Sequence, residues 1–275
     1  MRYEQRRPDR YLDFFNETLE DRQMLAGDVE VVARHGDVVV TGDNASNQVR
    51  VDTDYGQIRV TGINGTRING VTNGVSYQSI SDDLKINLKH GDNQLMLGSE
   101  ALMLNVPDDL SVKTGNGADE IDAPNVFVGD DASFSMGHGF NQLRLSETGN
   151  VGFSVSDDLK ISSPGATSVI ASWAVVGDTR ISTGRMNDVV LLTDTALVGN
   201  VSISTKGGND TIGVFDTVIG GNLKVSSAGG NDSFTFAGSF AAAFGDIRLA
   251  MGHGLDTAVI TATLSSETDV FMSGV

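Results

Sequence analysis

The sequence predicts an all-β chain: a right-handed parallel β-helix of about ten coils of roughly 23 residues, with a short N-terminal helical segment. Three observations predict it. The composition is that of short strands and turns, with 33 glycines, four prolines and 6% aromatics in 275 residues. A turn ending in Asn or Asp before a short apolar run recurs, anchored at Asn47, Asn93, Asp119, Asn141, Asp188, Asp210, Asp232 and Asp256. A second motif, acidic or Gly-rich and opening an alternating strand, recurs with the same step. Two independent motifs with one period mark a solenoid.

Each coil opens on a strand. The series begins with GDVVVT at 36 and GQIRVT at 56, then runs from DDLKIN at 82 through DDLKIS at 157 and GNLKVS at 221 to TDVFMS at 268. In the 157 copy, Leu159 and Ile161 alternate with Lys160 and Ser162, so one face points inward. The Gly-rich turn follows, and then a second strand in which Leu143 and Leu145 face in while Gln142 and Arg144 face out. A looser segment with a third apolar patch closes the coil, as at Leu197-Val198, Val218-Ile219 and Phe240. Asn69 and Ser168 fill the two gaps in the anchor series, which sets adjacent anchors 20 to 27 residues apart. That length is too short for a βαβ unit but suits one turn of a three-sided coil. Stacked at roughly 4.8 Å, about ten coils make a rod on the order of 50 Å long. The crossover rule for parallel strands gives the right hand.

The chain divides into residues 1–26 and a repeat domain, 27–275. The first segment holds five basic and six acidic residues, and Tyr11, Phe14, Phe15, Leu19 and Leu25 fall near helical spacing. Such a helix would cap the apolar mouth of a solenoid. At the other end, TDVFMSGV opens a new coil with no polar cap, so the expectation is either end-to-end or edge association with a partner there or a sequence that is a fragment. Acidic residues number 36 against 19 basic, a net charge of −17, which disfavours nucleic acid and anionic membrane and attracts cations. The absence of cysteine excludes disulfides, thiolate zinc sites and a thiol nucleophile. No apolar run is long enough for a membrane helix, and no ordinary signal peptide is visible.

Leu19, Glu20, Arg22 and Leu25, followed by Ala26-Gly27-Asp28, resemble the LEPR-XLL motif at the N-terminus of large exported proteins of some environmental Gram-negative bacteria. Asp21 replaces the proline of that motif and Met24 its first leucine; Arg2, Arg6, Arg7 and Arg10 fit its basic lead. The resemblance implies an address, exported to the cell surface or beyond, and no activity.

The turns pose the question of metal. Gly115 to Ile121 resembles the G-x-G-x-D-x-U half of the RTX-type calcium-binding nonapeptide, and Gly208 to Ile212 and Gly230 to Phe234 match its second half. That resemblance implies calcium held between successive coils, with Asp119, Asp188, Asp210, Asp232 and Asp256 as candidate ligands. The departure is that the motif occurs once per coil and that Asn47, Asn93 and Asn141 replace aspartate. Four aspartates stacked at one position repel, by about 3 kcal/mol per pair at an effective dielectric near 20, unless they splay into water or share a cation. The alternative is turn chemistry, in which Asx side chains accept backbone N–H groups and Gly supplies positive φ. The paired acids Asp82-Asp83, Asp108-Asp109, Asp130-Asp131 and Asp157-Asp158 read as a solvated, association-resistant edge.

An enzyme is also weighed. Gly137-His138-Gly139 and Gly252-His253-Gly254, with the Asp pairs, resemble signatures of the polygalacturonase family. Both triplets sit at ordinary repeat positions, the other motifs of that family are missing, and no coil carries a long insertion. His35 and His90 are turn residues, Trp173 is expected in or near the core, and the Thr rows of an ice-binding face are missing. The expectation is a non-catalytic, exported β-solenoid acting as a structural or adhesive module, with surface proteins, matrix proteins or glycans as partners. The alternative is a carbohydrate-active β-helix, a polysaccharide lyase or hydrolase.

Overall fold

In a computed structural model the described residues are 27–99, 101–145, 152–172 and 175–274. The predicted helical segment and sorting motif at 1–26 lie outside them, apart from Gly27 and Asp28, as does Trp173. The described chain is all strand and turn, 32 strands in three sheets. No helix among the described residues is long and apolar enough to cross a membrane.

From residue 84 onward the chain winds through about eight turns of roughly 23 residues, rather than ten. Each turn adds one strand to each of three parallel sheets. The first face stacks Leu84–Asn87, Leu110–Lys113, Ala132–Ser135 and so on to Val270–Ser273. The second runs from Gln94–Leu97 to Thr257–Ile260, and the third, of shorter strands, from Leu104–Val106 to Thr263–Leu264. Register is kept residue for residue, so inward positions form columns. Val40, Ile86, Val112, Phe134, Ile161, Ile181, Ile203, Val225 and Leu249 make one. Each is buried, and burying one such side chain contributes about 1.5–3 kcal/mol. The alternation read in the sequence at Leu159–Ser162 and Phe140–Leu145 is the observed one.

The first two expected coils are instead antiparallel hairpins. Strands β1 (Asp28–Arg34) and β2 (Asp37–Thr41) pair through the turn His35-Gly36, with φ of 54° and 102°. Strands β3 (Gln48–Asp54) and β4 (Gln57–Gly62) pair through Tyr55-Gly56, at 49° and 76°. Strands β5 (Arg67–Ile68) and β6 (Val71–Thr72) pair through Asn69-Gly70, at 49° and 81°, and β7 (Val75–Ser79) returns antiparallel to β4. Two-residue loops with both φ positive suit the twist of a hairpin, and glycine in the second place makes them affordable. GQIRVT is therefore the return arm of a hairpin and not a coil strand. Asn69 is a hairpin turn residue, whose side chain accepts the Val31 N–H at 2.8 Å. Only β2 and β3 of this region join the parallel stacks, on the first and second faces.

Candidate functional site

The recurring Asx anchors lie between the first and second faces and point inward. Asn47, Asn93, Asp119, Asn141, Asp188, Asp210 and Asp232 are each no more than 2% exposed. Their side chains do not splay into water, one of the two ways of relieving repulsion weighed from the sequence; they accept backbone N–H groups, as the turn-chemistry alternative has it. From Asn93 on, each Asx Oδ1 accepts the backbone N–H of the equivalent residue one coil earlier, whereas Asn47 Oδ1 is buried without a partner. Asn93 caps Asn47 at 3.0 Å, Asp119 caps Asn93 at 3.1 Å and Asn141 caps Asp119 at 3.2 Å. After Thr167, Asp188 caps Thr167 at 2.7 Å, Asp210 caps Asp188 at 2.9 Å, Asp232 caps Asp210 at 2.9 Å and Asp256 caps Asp232 at 2.8 Å. The fourth-coil anchor is thus Thr167, paired with Asn141, and not Ser168, which faces out beside Gln142.

The second carboxyl oxygen has a different fate. Oδ2 of Asp119, Asp188, Asp210, Asp232 and Asp256 is buried with no hydrogen-bond partner. Desolvation raises the pKa of Asp119 and Asp210 and lifts that of Asp188 to about 6. Thr114, Thr183 and Thr205, each five residues upstream, oppose this, as do the capped N–H groups; Asp210 beside Asp188, and Asp232 beside Asp210, add to the rise. The threonine Oγ1 atoms are themselves buried without a hydrogen bond of normal geometry.

Two more Asx ladders run on the surface in the opposite sense, with the side chain of one coil accepting from the next. Beside the anchors, Asn116 caps His138, Asn187 caps Asn209, Asn209 caps Asn231 and Asn231 caps Leu255 at 2.8–3.3 Å. At the start of the first-face strands, Asp83 caps Asp109, Asp109 caps Asp131 and Asp131 caps Asp158 at 2.9–3.2 Å. Here lie the paired acids. A hydrogen bond to Asp82 raises the pKa of Asp108, while desolvation and then neighbouring carboxylates raise those of Asp130 and Asp158. Lys85 relieves one end of the row, 2.6 Å from Asp37 and 2.9 Å from Asp83.

Among the described residues, three acid groups bring oxygens within 4.8 Å of one another: Asp37-Asp82-Asp83, Asp83-Asp108-Asp109 and Asp130-Asp131-Asp157. All belong to the surface row. The metal candidates read from the sequence, Asp119, Asp188, Asp210, Asp232 and Asp256, share one column, but no three of them converge. Each keeps one free oxygen, whereas calcium takes six to eight oxygen ligands. His90 accepts the Asn116 N–H at its Nδ1, 3.0 Å away. Gly137 and Gly139 stack on the backbones of Gly115 and Gly117, so the G-H-G triplet occupies the same turn position as G-N-G. Comparison with known proteins finds no matching family model, no matching curated protein and no matching solved structure.

Proposed function

We propose that the chain is a non-catalytic, exported β-solenoid, a structural or adhesive module of the cell surface or matrix with an acidic edge. The observation that carries this reading is that the recurring Asx residues are spent, coil after coil, on backbone N–H groups of neighbouring coils. They make a stiff rod, and the buried column does not converge on one point; the acid groups that do converge lie on the surface row. A glycosidase would need two carboxyls facing each other across a cleft. The cleft of about 700 Å³ along the anchor turns, described below, is lined without any carboxylate. The N-terminal resemblance at Leu19 to Asp28 supports export.

The test has two arms. Incubation with uronate-rich and neutral polysaccharides is expected to leave chain length unchanged; new reducing ends or unsaturated products would establish the lyase or hydrolase alternative. Protease treatment of intact host cells is expected to remove the protein, and full protection would contradict a surface or matrix address. Within this reading the buried aspartates are caps, so unfolding in millimolar calcium and in chelator is expected at the same Tm. A rise of many degrees with calcium would restore Asp119, Asp188, Asp210, Asp232 and Asp256 as metal ligands.

A further inference from the structure

Seven of the eight coils take the same number of steps between paired positions across the anchor turn, as from Ser135 to Gln142 or Ser182 to Val189. The fourth coil, from Ser162 to Ser168, takes one fewer. Pro164-Gly165 makes the contraction. A Cβ on Gly165 would meet the Gly139 carbonyl at 2.3 Å, and one on Gly184 would meet the Pro164 carbonyl at 2.1 Å. Backbone therefore lies on backbone, and no side chain fills the missing place. The result is a notch in the row of turns, an open cleft of about 700 Å³.

The floor is Pro164 to Ala166, and the walls are His138 and Phe140 on one side and Arg185, Met186 and Lys206 on the other. The nearest walls stand two coils apart, about 10 Å, which admits one sugar ring. Phe140 is 74% exposed and Met186 51%, so the walls offer apolar surface to a ligand. Arg185 and Lys206 are exposed and have no ion pair or hydrogen bond from their side chains. Lys206 holds φ at 65°, a left-handed value that Lys89 at 58° and Gly252 at 88° share at the equivalent turn position; a lysine there is strained. In a chain of net charge −17 the cations stand apart from the acids: the anchor aspartates of these turns are buried, and the paired acids occupy another edge.

We propose that this notch binds a short saccharide carrying uronic acid carboxylates, its rings against Phe140 and Met186 and a carboxylate on Arg185 and Lys206. The proposal rests on the adhesive reading and names its partner class. A guanidinium fork matches a carboxylate in bidentate fashion, and lysine adds a point charge. An acidic peptide fits less well, because strand addition needs an open sheet edge. The strands flanking the notch, Phe140–Leu145, Ala166–Ser172 and Val189–Thr193, are paired on both sides. A long polyanion would be repelled by the whole-chain charge, so the ligand is an oligomer of a few rings.

Titration calorimetry of the full chain with trigalacturonate, a neutral trisaccharide and hexaglutamate tests this. Trigalacturonate is expected to bind with Kd at or below about 1 mM, and the other two at least about ten-fold more weakly. The double variant R185A/K206A, and separately F140A, are expected to lose about ten-fold in affinity. All three side chains are exposed, so the circular dichroism melts should match the wild type; K206G, which removes the backbone strain, should fold at least as well and still bind weakly. Absence of trigalacturonate binding, indifference to all these substitutions, or equal affinity for hexaglutamate would each overturn the site. Cleavage of trigalacturonate during the titration would instead refute the non-catalytic reading while leaving the site standing.

Discussion

At Asn93 and Asn141 the buried anchor side chain accepts one N–H and still donates from its amide. Asn141 reaches the Gly137 carbonyl at 2.8 Å and Ser163 Oγ at 3.1 Å; Asn93 reaches the Gly91 carbonyl at 2.9 Å and Asp119 Oδ1 at 2.9 Å. At Asp188 and Asp210 the same inward place accepts the same N–H, and the ionised carboxyl has nothing to donate. The residue five positions upstream differs accordingly. Leu88 and Met136 precede the Asn rungs, whereas Thr114, Thr183 and Thr205 face the Asp rungs Asp119, Asp188 and Asp210; Ser227 and Met251 stand there before Asp232 and the last, half-buried Asp256. The amide closes its own turn, while the carboxyl needs a hydroxyl and remains short of a proton. A row of identical caps thus hides two kinds of rung, one indifferent to pH and one sensitive to it.

The most severe way to break the comparison is to separate the rungs. Gly230 has φ of 133° and its added Cβ would meet the Gly208 carbonyl at 1.8 Å. G230V is expected to cost more than about 3 kcal/mol, from backbone strain and lost stacking together, seen as a large drop in Tm and loss of two-state unfolding. Next comes N141A, which orphans the Asp119 N–H and the Gly137 carbonyl; about 2–4 kcal/mol is expected in urea denaturation. D210A removes an acceptor but also a desolvated carboxyl, so it should cost less than N141A at pH 7.

Proton linkage sharpens the difference. The folded pKa of Asp188, about 6, lies above its unfolded value, so the folded state binds the proton more tightly. Its stabilising contribution is therefore complete below about pH 4 and is lost as pH rises to about 6 and beyond. Stability measured from pH 4.5 to 8 should fall by on the order of 1–2 kcal/mol for this group. D188N should flatten that slope and raise stability at pH 8, because asparagine keeps the acceptor and restores the donor. A steeper slope in D188N would contradict the assignment. The smallest effect is expected at the surface: K85A loses ion pairs to Asp37 and Asp83 across an exposed, solvent-screened edge, and its Tm should barely differ from that of the wild type.

Much of this was legible in the sequence. The two motifs with one period led to the solenoid, to the inward faces at Leu159 and Leu143, and to seven of the buried anchors by number. What escaped was direction and local count. Period alone does not say whether Asp188 points to water or to the core; the recurring Thr five residues earlier was the available signal. Hairpins passed as coils because β2 and β4 alternate like coil strands, although His35-Gly36, Tyr55-Gly56 and Asn69-Gly70 are hairpin dipeptides by turn chemistry. The period alone points to Ser168 as the anchor, and the contraction at Pro164-Gly165 moves it to Thr167.

The opposite senses of the ladders give the rod an arrow. In the buried ladder each amide waits for the next coil to supply its acceptor, whereas in the surface ladders each new coil finds an acceptor already in place on the one before. A coil is therefore received from outside first and locked from within only when its successor arrives. The hairpins of residues 28–79 close over short sequence separations and so form ahead of the coils. Assembly then proceeds like a ratchet, one turn behind the growing tip, and a polypeptide threaded N-terminus first can consolidate in the order in which it emerges.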